Sequence, residues 1–249
     1  MTGSNCTSHR QAVSASQNPP IFAWQYFAAA GILFAGVYLS QLFWLLDEPL
    51  FSKVYYGNVD ILLFNICAAV YTLGFLALFH WRFLRHTGIN FLPLKYTPVG
   101  PKRKLFLYFM TAIPVIVTGL ALGGELKLVR GLGQNLTRMS LAGNATGYVY
   151  TAAKLFAAIY FILLVEAGVS KLLERCAAKN ERLLPFARLP IPYGGLAAMV
   201  TFGLLEYLLA PSGLALLQLF LFLYAGIITL VANKQIWTAF PVSLIVFIL

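Results

Sequence analysis

The feature that most constrains this chain is a succession of apolar blocks, each long enough or nearly long enough to cross a lipid bilayer. A helix rises about 1.5 Å per residue, so a hydrocarbon core about 30 Å thick takes roughly 20 mostly apolar residues. Ile21–Leu46, Ile61 to Phe79 or a little beyond, Leu105–Gly123, Tyr148–Leu173, Leu196–Ala210 and Leu214–Ala232 read as spans, and Ile236–Leu249 as a partial or tilted last one. Of the 249 residues 60% are hydrophobic and only 10% charged, too few charges to give a soluble domain of this length its polar shell. The sequence therefore predicts an all-α fold, a polytopic transmembrane helix bundle of about six or seven spans.

Residues 1–19 are polar and Ser-rich and read as a disordered tail ending at Pro19 and Pro20; residues 20–249 read as a single membrane-embedded helical domain. The tail holds no short apolar stretch with a cleavage site, so the first span is expected to act as an uncleaved insertion signal. Trp24, Tyr26, Phe43 and Trp44 lie towards the two ends of that span, as in an interfacial aromatic belt, and Asp47 and Glu48 close it. Pro114 sits in the middle of the third span, where it should kink the helix, and Gly119 and Gly123 have the spacing of close helix contacts. Residues 124–147 are not apolar enough to span. There Lys127, Arg130, Gln134 and Arg138 share one helical face and Leu126, Val129, Leu132, Leu136 and Met139 the other. That pattern suggests a helix lying in the interface; Gly131 and Gly133 weigh against it.

The formal charge of +10 arises from 18 basic and 8 acidic side chains, and the basic ones gather in connections. Arg82, Arg85, Lys95, Lys102, Arg103 and Lys104 follow the second span. Lys171, Arg175, Lys179, Arg182 and Arg188 follow the fourth, in a loop ending in the turn-rich run Leu-Pro-Ile-Pro-Tyr-Gly-Gly at 189–195. Cytoplasmic loops are rich in Lys and Arg, so these two loops and Lys234 are expected inside, with the N-terminus cytoplasmic. The expected partner is the lipid bilayer, with a peptide or membrane-protein partner open; no basic-aromatic module points to nucleic acid. The tripeptides beginning at Asn135 and Asn144 are glycosylation sequons that matter only in a eukaryotic host; a bacterial plasma membrane is expected.

Chemistry signals are few. Cys6, Cys67 and Cys176 share no disulfide or zinc spacing, no span carries two histidines, and no Gly-rich phosphate loop occurs, so neither a metal site nor a cofactor is expected. No histidine accompanies Ser170 or Ser243 in the same part of the chain, so a serine triad has no support. Ionisable groups at membrane depth remain, because each costs several kcal/mol unless paired or wetted. Lys154 and Glu166 lie in the fourth span and Glu206 in the fifth, with Asn65, His80, Gln218 and Thr201 as cheaper polar residues. Glu166 can reach the cytoplasmic end beside Lys171 or Arg175. Lys154 can snorkel to the opposite interface, and at roughly 18 Å along the helix it cannot pair with Glu166. Glu206 either reaches the outer surface, hydrogen-bonds a neighbouring helix in its neutral form, or has a functional role.

Leu-Leu-Val-Glu-Ala-Gly at 163–168, Ile-Pro-Tyr-Gly-Gly-Leu at 191–196, Thr-Phe-Gly-Leu-Leu-Glu at 201–206, Tyr-Ala-Gly-Ile-Ile at 224–228 and Ala-Phe-Pro at 239–241 follow in order. Over residues 150–249 this order resembles the CPBP group, the CAAX-protease and bacteriocin-processing membrane proteins, in a divergent form. The resemblance implies intramembrane peptidase ancestry with a Glu-Glu pair and an Arg four residues on, a Phe-x-x-x-His helix, and a final His with an Asn. The first motif maps to Glu166, but with Ala167 and Lys171 at the partner positions. Phe202 is present, yet Glu206 stands where the histidine belongs, and near Ser243 and Phe247 there is no histidine or asparagine. Three readings follow. A degenerate relative binds a peptide, lipid or partner without catalysis; an atypical peptidase uses Glu166 and Glu206 as its catalytic residues; or the chain is a small transporter or subunit of a membrane complex. Loss of the histidines favours the first over the second.

Overall fold

The computed structural model describes residues 22–40, 59–88, 100–121, 141–179, 190–209 and 211–248. These residues form seven helices and no strand: α1 (Ala23–Leu39), α2 (Val59–Thr87), α3 (Pro101–Ala121), α4 (Leu141–Lys179), α5 (Tyr193–Leu209), α6 (Gly213–Val231) and α7 (Ile236–Ile248). Within α2, α3 and α4 the stretches Leu63–Thr87, Pro101–Leu120 and Ala145–Ala178 are long and apolar enough to cross a membrane. The other four helices are apolar but shorter. The expected tail, Phe43 to Glu48, Gly123, Lys95, Arg182, Arg188 and most of the amphipathic segment fall outside the described residues.

Two basic connections turn out to be partly helical. α2 continues past Phe79, so Arg82, Arg85 and His86 ride its last turns, and α4 carries Lys171, Arg175, Cys176 and Lys179. The run Lys171–Lys179 contains no Gly or Pro and consists mainly of Leu, Lys, Arg, Glu and Ala, strong helix formers, so the helix outlasts its apolar stretch. Tyr193–Gly195, read from sequence as a turn, is the first turn of α5. Its glycines serve packing: a Cβ at Gly194 would strike the Ile162 carbonyl, and one at Gly195 would lie 2.8 Å from the Gly226 Cα. α5 and α6 thus meet backbone to backbone, a close approach that a side chain at either glycine would prevent.

α4 is the axis of the bundle; Leu155, Ala157, Ile159, Tyr160, Ile162 and Leu164 are buried along it. α1 runs antiparallel to α4, with Phe22 under the Arg175 guanidinium at one end and Ser40 Oγ 3.0 Å from the Tyr150 hydroxyl at the other. α2 lies parallel to α4: Gly147 faces Asn65, and the Tyr160 hydroxyl is 3.0 Å from His80 Nδ1. α5 returns antiparallel to α4, setting Phe202 edge-on to Phe161, and α6 turns back after Pro211, its first turn capped by Ser212 Oγ accepting from the Ala215 N–H.

α3 is peripheral, with Leu105, Tyr108, Phe109, Ile116 and Leu120 exposed. Pro114 cannot donate to the Met110 carbonyl, its i−4 partner in a helix. The Tyr224 hydroxyl of α6 donates to that carbonyl instead, so the proline that breaks one bond of α3 creates its polar link to the bundle.

The alternation of direction sorts the charges. Arg82, Arg85, Lys102, Arg103, Lys104, Lys171, Arg175, Lys179 and Lys234 belong to helix ends or turns gathered at one end of the bundle, the basic end. Of the described basic residues Lys154 alone lies towards the far end.

Candidate functional site

Towards the far end, three helices converge on a polar cluster. Lys154 of α4 places its Nζ 2.6 Å from Glu206 Oε1 of α5, and Gln218 Nε2 of α6 donates to Glu206 Oε2 at 2.7 Å. The ion pair is largely enclosed, with side chains 19% and 15% exposed. Both carboxylate oxygens are engaged. The ammonium also lies 5.9 Å from the centre of the Tyr38 ring and 5.6 Å from that of Tyr150, a two-sided cation–π setting. A cavity of about 120 Å³ adjoins the cluster, bounded by Tyr150, Thr151, Lys154, Glu206, Gln218, Phe222 and Phe247.

The local fold positions these groups. Glu206 follows a π-helical stretch, Met199–Gly203, which shifts the helical register by a fraction of a turn and re-aims what comes after it. The Tyr38 hydroxyl of α1 donates to the Phe202 carbonyl within that stretch at 3.0 Å. Phe202 itself is fully buried among Phe34, Tyr38, Phe161 and Phe222. Close packing of Gly203 against Leu219 then brings Gln218 within reach of Glu206.

Glu166 occupies a separate place nearer the basic end. It is 3% exposed, and its Oε1 accepts the Gly194 N–H at 2.8 Å, so it caps the start of α5. Its Oε2 lies 4.0 Å from Lys234 Nζ, which also donates to Ser170 Oγ at 3.4 Å. Lys234 and the preceding Asn233 have φ of 59° and 56°, left-handed values unusual for lysine, in the turn between α6 and α7. One carboxylate therefore ties α4 to the start of α5 and to the α6–α7 turn.

These placements differ from the sequence expectations in definite ways. Glu166 is satisfied by Gly194 and Lys234 rather than by Lys171 or Arg175; those two are exposed on α4 beyond it. Lys154 pairs inside the bundle instead of snorkelling, because α5 presents a carboxylate at its depth. Glu166 and Glu206 are not brought together: the residue that Glu206 grips lies about 18 Å along α4 from Glu166. His80 contacts Tyr160, His86 is exposed at the end of α2, and among the described residues no three of His, Cys, Asp and Glu gather as metal ligands would. Ser243 is buried on α7, and Ser170 meets Lys234.

No protein-family model, curated protein or solved structure matches this chain. The meeting of Glu206 with Gln218, though not with Lys154, has a legible signal: both are six residues from Ser212, so an antiparallel hairpin turning there sets them side by side. The cap of α5 by Glu166 had none, since it joins residues 28 apart across a connection.

Proposed function

We propose that this is a multi-pass integral membrane protein of CPBP-like descent that has lost peptidase chemistry and acts as a binding or accessory protein. Its seven described helices form the six or seven spans, in a bacterial plasma membrane with the basic end and N-terminus cytoplasmic. The observation carrying the reading is the fate of the two glutamates. A peptidase of this ancestry needs a carboxylate free to activate water beside a histidine or metal. Here Glu206, at the position where the resemblance implies a histidine, has both oxygens held by Lys154 and Gln218. Glu166 is spent on the Gly194 N–H in a different part of the bundle. The distribution of basic residues supports the orientation, since all of those described except Lys154 lie towards one end.

The cavity beside Lys154 and Glu206 is the proposed binding position. At about 120 Å³ it admits a small polar group, such as the end of a peptide or headgroup, rather than a whole drug-sized ligand. The test is to assay the purified protein in vesicles against transmembrane and lipidated peptides. No cleavage is expected from the natural protein, and Glu166→Gln should change only its stability. Cleavage abolished by Glu166→Gln with thermal stability intact would overturn the proposal.

A second reading, a small transporter, draws on the enclosed Lys154–Glu206 pair, because charges at membrane depth often line ion or substrate pathways. Solute flux in proteoliposomes that disappears in Glu206→Gln, with the fold retained, would favour it.

A further inference from the structure

We propose that the groove between α1 and α2 at the basic end is a binding site for one anionic phospholipid of the surrounding leaflet; this rests on the membrane reading above. The groove is a cavity of about 530 Å³ opening on the outside of the bundle. Its walls are apolar: Trp24, Ala28 and Ile32 of α1 face Phe79 and Phe83 of α2. Trp24 is 64% and Ile32 59% exposed, so on the described surface this wall meets its surroundings directly. From Phe22 to Ile32 the groove follows α1 for about 15 Å, half the thickness of a hydrocarbon core and therefore the depth reached by an acyl chain of one leaflet.

The mouth supplies the charge. Arg82 and His86 line it on α2, and the Arg175 guanidinium of α4 sits 4.9 Å from the ring centre of Phe22, which also lines it. No carboxylate lines the groove among the described residues. Arg82 is exposed and takes part in no ion pair with a described acidic residue. A phosphate at the mouth would accept from the Arg82 guanidinium while a chain lies against Ile32 and Phe79, and a basic cleft at the cytoplasmic membrane surface is where anionic headgroups are held. Trp24 at the mouth has the amphipathic ring suited to that interface. A free phosphate would use only the mouth and leave the apolar wall uncovered, so the occupant is the lipid.

The experiment uses the full chain, extracted in mild detergent and incubated with equimolar phosphatidylglycerol and phosphatidylcholine, with retained lipids counted by native mass spectrometry. The natural protein should retain one phosphatidylglycerol in preference to phosphatidylcholine. Arg82→Gln should lower that preference about fivefold, the equivalent of about 1 kcal/mol for one basic residue at a membrane surface. Ala28→Trp, which fills the groove from an exposed position, should remove the retained lipid altogether. Unchanged retention and selectivity in both variants overturns the site. So does displacement of the retained phosphatidylglycerol from the natural protein by inorganic phosphate alone, which would mark a mere anion site. A protein released from membranes by alkaline carbonate without detergent would instead refute the membrane reading on which the site rests.

Discussion

Replacing Glu206 by leucine, Lys154 by methionine, and both together separates an ion pair from two independent polar residues. At an effective dielectric of about 20, unit charges 2.6 Å apart attract by about 6 kcal/mol, most of it offset by the desolvation of both groups. Removing one partner strands the other. Glu206→Leu leaves the Lys154 ammonium with only the faces of Tyr38 and Tyr150, so it should cost about 3 kcal/mol, at the low end for a buried pair because some water reaches it. Lys154→Met should cost less, about 2 kcal/mol, since Gln218 still donates to the carboxylate. The double variant should lie within about 1 kcal/mol of the natural protein, because apolar side chains of similar volume replace a pair whose net contribution is small. Reversible unfolding in mixed detergent micelles, followed by circular dichroism across an SDS titration, measures all four corners of the cycle. If the two single losses simply add in the double variant, the pair does not exist as described.

Other consequences are open to the same unfolding assay. Glu166→Ala leaves the Gly194 N–H without its acceptor and should cost about 1–3 kcal/mol; Glu166→Gln, which keeps an acceptor oxygen, should recover most of that, and equal losses would contradict the cap. Gly226→Leu forces α5 and α6 apart at Gly195 and should destabilise by at least the 1–3 kcal/mol typical of overpacking; a neutral effect would mean the helices do not meet there. Tyr224→Phe should cost about 1 kcal/mol in the natural chain, and much less when Pro114 is replaced by Ala, which restores the backbone donor to Met110; equal effects in the two backgrounds would contradict the exchange.

Much of the helical architecture was legible because apolar length alone marks a span. The expected span from Leu214 to Ala232 and the observed helix Gly213–Val231 agree almost residue for residue, with Pro211 and Lys234 bounding both. Charge is a poor sign of a loop in this chain: Arg82 and Arg175 are helical, since Lys and Arg are good helix formers and the end of an apolar stretch is not the end of its helix. Glycine misled in the same way at Gly194 and Gly195, where the missing side chain serves close packing and not a turn. At the polar cluster the three participants, Lys154, Glu206 and Gln218, stood out individually by their depth. Their convergence depends on the π-helical register of α5 and on which helices neighbour α4, and hydropathy encodes neither.

The most direct test of the multi-pass bundle is whether α6, one of the shorter apolar helices, crosses the membrane. In a chain with Cys6, Cys67 and Cys176 replaced by serine, single cysteines at Ser212 and Asn233 would be probed in intact cells with a membrane-impermeant maleimide. The expected result is labelling at 212 from outside and at 233 only after the membrane is opened. Labelling of both from the same side would contradict the bundle as a set of alternating spans.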